Sequence, residues 1–269
     1  MDHASGIGFV TILIAIVFTV LSSFQFIPSL PTFMKGLIDP PSFICVIGGM
    51  LGATLVTFSM ADFSNLVAVF KKVLEPEVPS PIDLMKQLIE IGAAARRGGI
   101  LSIEPMLAEL DEEFLSKGLQ MAVDGRDAET IRANLNGEVT FMATRHEKGA
   151  EIFNTMNKYC PAFGMIGTLF GLISMLGSMG GGSGGMDMGA LTQGMAVALI
   201  TTLYGAVFAN AIFSPVADGL KAKSKAEKVY RDVIIEGVVM IASSETPPVM
   251  RARFGSFLAP KDQAQLLES

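Results

Sequence analysis

Charge is what this chain has least of. Of 269 residues only 17% are Asp, Glu, Lys or Arg, and 50% are apolar. A soluble domain runs at about 25% charged. A deficit of this size, with a mean hydropathy of +0.49, points to long runs that avoid water. Two cysteines exclude a disulfide framework. Two histidines, with no Cys/His/Asp cluster, exclude a transition-metal site. A net charge of −6 and a pI near 5.0 exclude nucleic acid as a main partner. No nucleophile–base pair stands out on which an enzyme would be built, so no catalytic residue and no cofactor is expected.

The charges that are present divide the chain. Four stretches hold neither a charge nor a histidine: 6–27, 43–60, 162–179 and 195–213, of 22, 18, 18 and 19 residues. At 1.5 Å per residue each covers roughly 27–33 Å, close to the hydrocarbon thickness of a bilayer. They predict four transmembrane helices rather than the buried helices of a soluble core. Of the 20 Lys and Arg, 11 lie between the second and third runs and 8 after the fourth; Lys35 alone lies in the two short outer links. The positive-inside rule then places the long segment, the tail and both termini in the cytoplasm. Residues 1–5 carry no basic stretch, so the first run is expected to be retained rather than cleaved.

The expected fold is an all-α integral membrane protein with four transmembrane helices, a large helical cytoplasmic domain between spans two and three, and a cytoplasmic C-terminal tail. Residues 1–61 carry spans one and two, 62–158 the cytoplasmic domain, 159–215 spans three and four, and 216–269 a C-terminal helix and tail. In the cytoplasmic segment Ser80-Pro81-Ile82-Asp83 is a helix start and Gly98-Gly99 a stop. A second helix is expected over 104–123, stopped by Asp124-Gly125. Asp127 can cap a third, whose pattern runs from about Asn136 into span three. The outer link 180–185, Gly-Gly-Gly-Ser-Gly-Gly, reads as a flexible loop.

Small residues recur at helical spacing in three spans: Gly48, Gly52 and Gly49, Ala53 in the second, Gly164, Gly167, Gly171 in the third, Ala198, Thr202, Gly205 in the fourth. Such stripes let helices approach closely in lipid, and with three of four spans striped some are expected to serve contacts with other subunits rather than packing within one. No span contains an Asp, Glu or His, the usual mark of an ion carrier. Hydroxyls are present near mid-depth, at Thr168, Thr201 and Thr202. Threonine oxygens can help replace the hydration shell of a small hard cation, or each can bond the carbonyl one turn back. Thr201 and Thr202 lie 100° apart on a helix, so one of them is expected to face a given pathway. Pro161 and Pro215 stand at the inner mouths of spans three and four, as hinges or as simple helix punctuation.

These residues resemble a known family. The segment 198–205, Ala-Leu-Ile-Thr-Thr-Leu-Tyr-Gly, with Pro215 beyond it, is similar to the fourth span of the flagellar motor stator A subunit, the MotA/PomA family. The segment 160–171, Cys-Pro-Ala-Phe-Gly-Met-Ile-Gly-Thr-Leu-Phe-Gly, resembles its third span. The segment 94–104, Ala-Ala-Arg-Arg-Gly-Gly-Ile-Leu-Ser-Ile-Glu, resembles its cytoplasmic signature, and Val123-Asp124-Gly125 and Glu236-Gly237-Val238 also fit. The Gly-rich outer link departs from the family pattern, and nothing after Leu258 matches.

The resemblance implies a multi-pass subunit of the bacterial inner membrane. It implies a homo-oligomer, a pentamer around a dimer of a single-span B subunit (MotB/PomB-like) that supplies the ion-binding aspartate. Ion flow at that interface would drive rotation of the ring against the rotor switch protein. It assigns Pro161 and Pro215 to coupling and Arg96 and Glu104 to the rotor contact. Thr168, Thr201 and Thr202 match hydroxyls of the sodium-type members, with sodium as the transported ion and no permanent metal. A proton-driven stator of the same family, or an ExbB/TolQ-like energy-coupling subunit, are the alternatives. The latter typically has three spans and an outer N-terminus.

Overall fold

The computed structural model describes residues 10–11, 14, 16, 37–73, 79–108, 110–179, 188–258 and 261–263, and among them all regular structure is helical. Three helices are long and apolar enough to cross a membrane: α1 (Pro40–Thr57), and the helices that carry expected spans three and four. The expected first span and the Gly-rich link lie outside the described residues, apart from isolated positions in the former.

Helix α1 begins where Asp39 accepts the Ser42 N–H at 3.0 Å, with Pro40 and Pro41 in the first turn, where no intrahelical donor is needed. It contains a π-helical segment, Ile44–Gly48. A capping box at Ser59 and Asp62 opens α2 (Met60–Ser64), and α3 (Leu66–Val73) follows. Helix α4 (Pro81–Gly98) starts and stops as expected: Ile82 N–H donates to Ser80 Oγ at 3.4 Å, and Gly99 takes φ +81°. The helix expected over 104–123 is interrupted. A 3₁₀ turn (Ile100–Ile103) leads into the short α5 (Glu104–Leu107), and α6 (Glu113–Val123) starts afresh. Three successive acids, 111–113, explain the break: carboxylates are favoured at a helix N-terminus and repel inside one.

Gly125, at φ +78°, ends α6. Asp127 caps α7 (Ala128–Met179) by accepting the Thr130 N–H at 3.0 Å, and the Thr130 hydroxyl and amide hold its carboxyl below the usual range. At 52 residues α7 starts at the expected Asp127 cap and runs unbroken through Asn136 and span three. Helix α8 (Met188–Ala242) carries span four and contains a π-helical segment, Phe208–Phe213. Helix α9 (Pro247–Gly255) completes the described elements.

The chain packs as two compact units. The first comprises residues up to 76 with 147–221, and so takes in 62–76 and 147–158 together with the spans. The second comprises 77–146 with 222–269. Its core joins Leu88, Ile91, Leu115, Leu119, Leu135, Ile234 and Phe254, all nearly inaccessible. Glu236 lies within this apolar core, 7% exposed, and is held by two cations. Its Oε2 lies 2.8 Å from Arg132 of α7, and its Oε1 2.5 Å from Arg253 of α9. A carboxylate taken from water needs such partners. Replacing Glu236 by alanine should destabilise this unit by about 1.5–3 kcal/mol, the range for bonds to charged groups. Thermal melting of the purified complex checks this; an unchanged Tm would mean the clamp contributes nothing.

Candidate functional site

Spans three and four meet along glycines. A Cβ placed on Gly171 would lie 2.6 Å from the Gly194 carbonyl oxygen, and one on Gly205 would lie 2.9 Å from the Cys160 carbonyl oxygen and 3.2 Å from Pro161 Cα. The two backbones are therefore in contact above and below the threonines, and these glycines of spans three and four serve packing within this chain, whereas a Cβ on Gly52 of the second span would meet nothing within 4 Å. The second span joins the same unit through Gly49, where a Cβ would overlap the Phe163 ring at 2.2 Å.

Between these contacts lie the three threonines. Thr201 faces into the seam, 1% exposed, opposite Gly167, whose missing side chain makes room for it. Thr202 is exposed and Thr168 half-buried, and their hydroxyl oxygens lie 2.6 Å apart. The predicted 100° separation of Thr201 and Thr202 is thus realised as one in the seam and one beside Thr168 at the accessible surface. All three hydroxyls converge on the Ala198 carbonyl, at 3.2 Å from Thr168, 3.0 Å from Thr201 and 3.1 Å from Thr202. Each also reaches another acceptor: Gly164 O at 3.0 Å for Thr168, Val197 O at 2.9 Å for Thr201, and Thr168 for Thr202. The back-bonding habit of threonine in membrane helices therefore coexists with a cluster of three hydroxyl oxygens around one carbonyl.

The prolines lie beyond the threonines on the Gly205 side of this seam. Pro161 sits inside α7, in contact range of Gly205. Pro215 lies two residues beyond the π-helical segment of α8, after Ser214. It has no N–H to offer the carbonyl one turn back, and a π turn is one way a helix absorbs that loss. In the second unit Arg96 lies in the last turn of α4 and Glu104 begins α5; both are exposed, and no ion pair joins them. The 99–104 turn between them is held by Ser102, whose N–H and Oγ donate to the Gly99 carbonyl at 3.0 and 2.7 Å.

One pair escaped the reading of charge-free runs. The Tyr204 hydroxyl donates to the Leu37 carbonyl and accepts the Asp39 N–H at 3.2 Å. Tyr204 is two residues, about 3 Å along the axis and 200° around the helix, from Thr202, so the start of α1 is tied to the side of α8 turned away from Thr202. A tyrosine within a span needs a polar partner, and that need was the available signal.

The sequence model of the MotA/TolQ/ExbB proton channel family matches residues 107–232. The chemotaxis protein PomA of Vibrio alginolyticus is 36% identical over 82% of this chain and 84% of its own length. Motility protein A of Borreliella burgdorferi is 34% identical over 98% of this chain and 95% of its own. This chain belongs to the MotA/PomA family of flagellar stator A subunits. Two solved structures have the same fold. Each has a TM-score of 0.83 and covers 97% of this chain and 98% of its own: C. jejuni MotAB, at 25% identity, and the flagellar MotAB stator complex of Bacillus subtilis, at 29%. Although the family model is shared with TolQ and ExbB, these full-length relatives are motility proteins.

Proposed function

We propose that this MotA/PomA-family chain is the sodium-type A subunit of a flagellar stator in the bacterial inner membrane. It assembles as a pentamer around a dimer of a single-span B subunit, and the MotAB complexes with the same fold support such a partner. Both termini are cytoplasmic. Sodium passes Thr168 and Thr202, with Thr201 behind them in the seam and the B subunit's aspartate supplying the charge. Pro161 and Pro215 transmit the passage to the second unit, and Arg96 and Glu104 meet the rotor switch protein. Solvated pairs of this kind are worth under about 1 kcal/mol, so their role is steering and specificity of contact.

The observation that carries the ion assignment is the hydroxyl pair of Thr168 and Thr202 at 2.6 Å, set over the Ala198 carbonyl. Sodium needs oxygen ligands, whereas a proton can travel on water and a carboxylate. The test is ion substitution. With sodium replaced by choline at constant ionic strength, swimming speed should fall to near zero and recover on return of sodium. Unchanged speed would assign the motor to protons.

A further inference from the structure

The first unit carries an open apolar groove of about 430 Å³. It is walled by Phe43 and Ile47 of α1, by Phe63, Val67 and Phe70 of α2 and α3, and by Phe208 of the π-helical segment of α8. The lining is apolar throughout. Phe43 is 44% exposed and Val67 68%, and in water such a patch would be a liability. Against a bilayer it meets hydrocarbon.

The end of the groove is different. Lys71 follows Val67 by one turn of α3, is exposed, and has no acid partner among the described residues. The acid of α2, Asp62, is already answered: Lys148 lies 2.8 Å from its Oδ1 and, with Ser59, holds its carboxyl below the usual range. Charge balance in the sequence puts this end on the cytoplasmic side. A cation one residue beyond the lining Phe70, with uninterrupted hydrocarbon before it, repeats the order of a phospholipid, head and then tail.

We propose that this groove binds one phospholipid of the inner leaflet, its acyl chain along Phe43, Val67 and Phe70 and its phosphate at Lys71. The bound chain packs against the π-helical segment that precedes Pro215, so the lipid supports the part of α8 where the helix is least regular. The inference needs only the membrane placement of the family and is independent of which ion is carried.

The test uses the full complex with its B subunit, reconstituted in vesicles of phosphatidylglycerol and phosphatidylethanolamine. A trace of phospholipid bearing a photoreactive diazirine on its acyl chain is added, and adducts are mapped by peptide mass spectrometry after irradiation. The peptide carrying Phe63 to Phe70 should be labelled well above Ile173 of span three, which is 64% exposed and lies 140° around the helix from Thr168. Val67→Trp, which fills the groove, and Lys71→Glu, which repels the phosphate, should each lower that labelling by about fivefold or more with the complex size unchanged. Labelling no higher than at Ile173 would overturn the proposal. So would efficient copper-catalysed disulfide formation between Val67→Cys subunits, which would show that a second copy of the chain covers the groove.

Discussion

Lysine in place of Thr202 should stop the motor while leaving the complex assembled. The Thr202 hydroxyl stands beside that of Thr168, above the Ala198 carbonyl. An ammonium there takes the oxygens a cation would use and holds a positive charge in the path. The insertion cost is about 2.5–3.5 kcal/mol for a cation at the centre of a membrane helix, and Thr202 is exposed rather than packed. One such charge is tolerable in a chain with several spans. Swimming should be lost completely, while co-purification with the B subunit stays near wild type. Normal swimming in this variant would remove Thr202 from the ion path. Serine at the same position keeps the oxygen and should retain motility.

Valine in place of Gly205 should act one level lower, on the seam itself. A side chain there meets the Cys160 carbonyl at 2.9 Å and Pro161 Cα at 3.2 Å. Both are backbone atoms and cannot rotate away. Overpacking of this kind costs about 1–3 kcal/mol when neighbours can yield, and here they yield only by separating the two helices. The expected result is little or no assembled complex in the membrane. Gly137 is the control: a Cβ there meets nothing within 4 Å, so Gly137→Ala should be neutral or slightly stabilising, since alanine is the better helix former. If Gly205→Val assembled as well as Gly137→Ala, the close approach of spans three and four would be wrong.

How much of this was legible in the sequence depends on the distance over which each residue acts. Spans two to four follow from the absence of charge, because lipid acts on every side chain of a run alike. The caps at Asp39, Ser80 and Asp127 and the stops at Gly99 and Gly125 are local, and Ser80, Asp127, Gly99 and Gly125 were readable as such. The break before Glu113 was missed because apolar periodicity continues through it while the acids at 111–113 set the boundary. The Tyr204–Asp39 tie was missed for another reason. It joins residues 165 apart, and a pattern confined to one run does not show its partner. The helical wheel gave the angle between Thr201 and Thr202 but not which of them turns toward span three's glycines. That choice rests on Gly167, where a Cβ would lie 2.5 Å from Thr201 Cγ2.

The convergence on Ala198 has a further consequence. A carbonyl oxygen has two lone pairs and a hydroxyl one proton. Three hydroxyls within reach of that oxygen cannot all donate to it well at once, and each has a second acceptor nearby. The cluster therefore has several hydrogen-bonding arrangements of similar energy rather than one. Such a degenerate network can turn its oxygen lone pairs outward by rotating O–H bonds alone, with no movement of a heavy atom. A passing charge would meet a medium that repolarises faster and at lower cost than a rigid cage, and that releases the charge as readily as it accepts it.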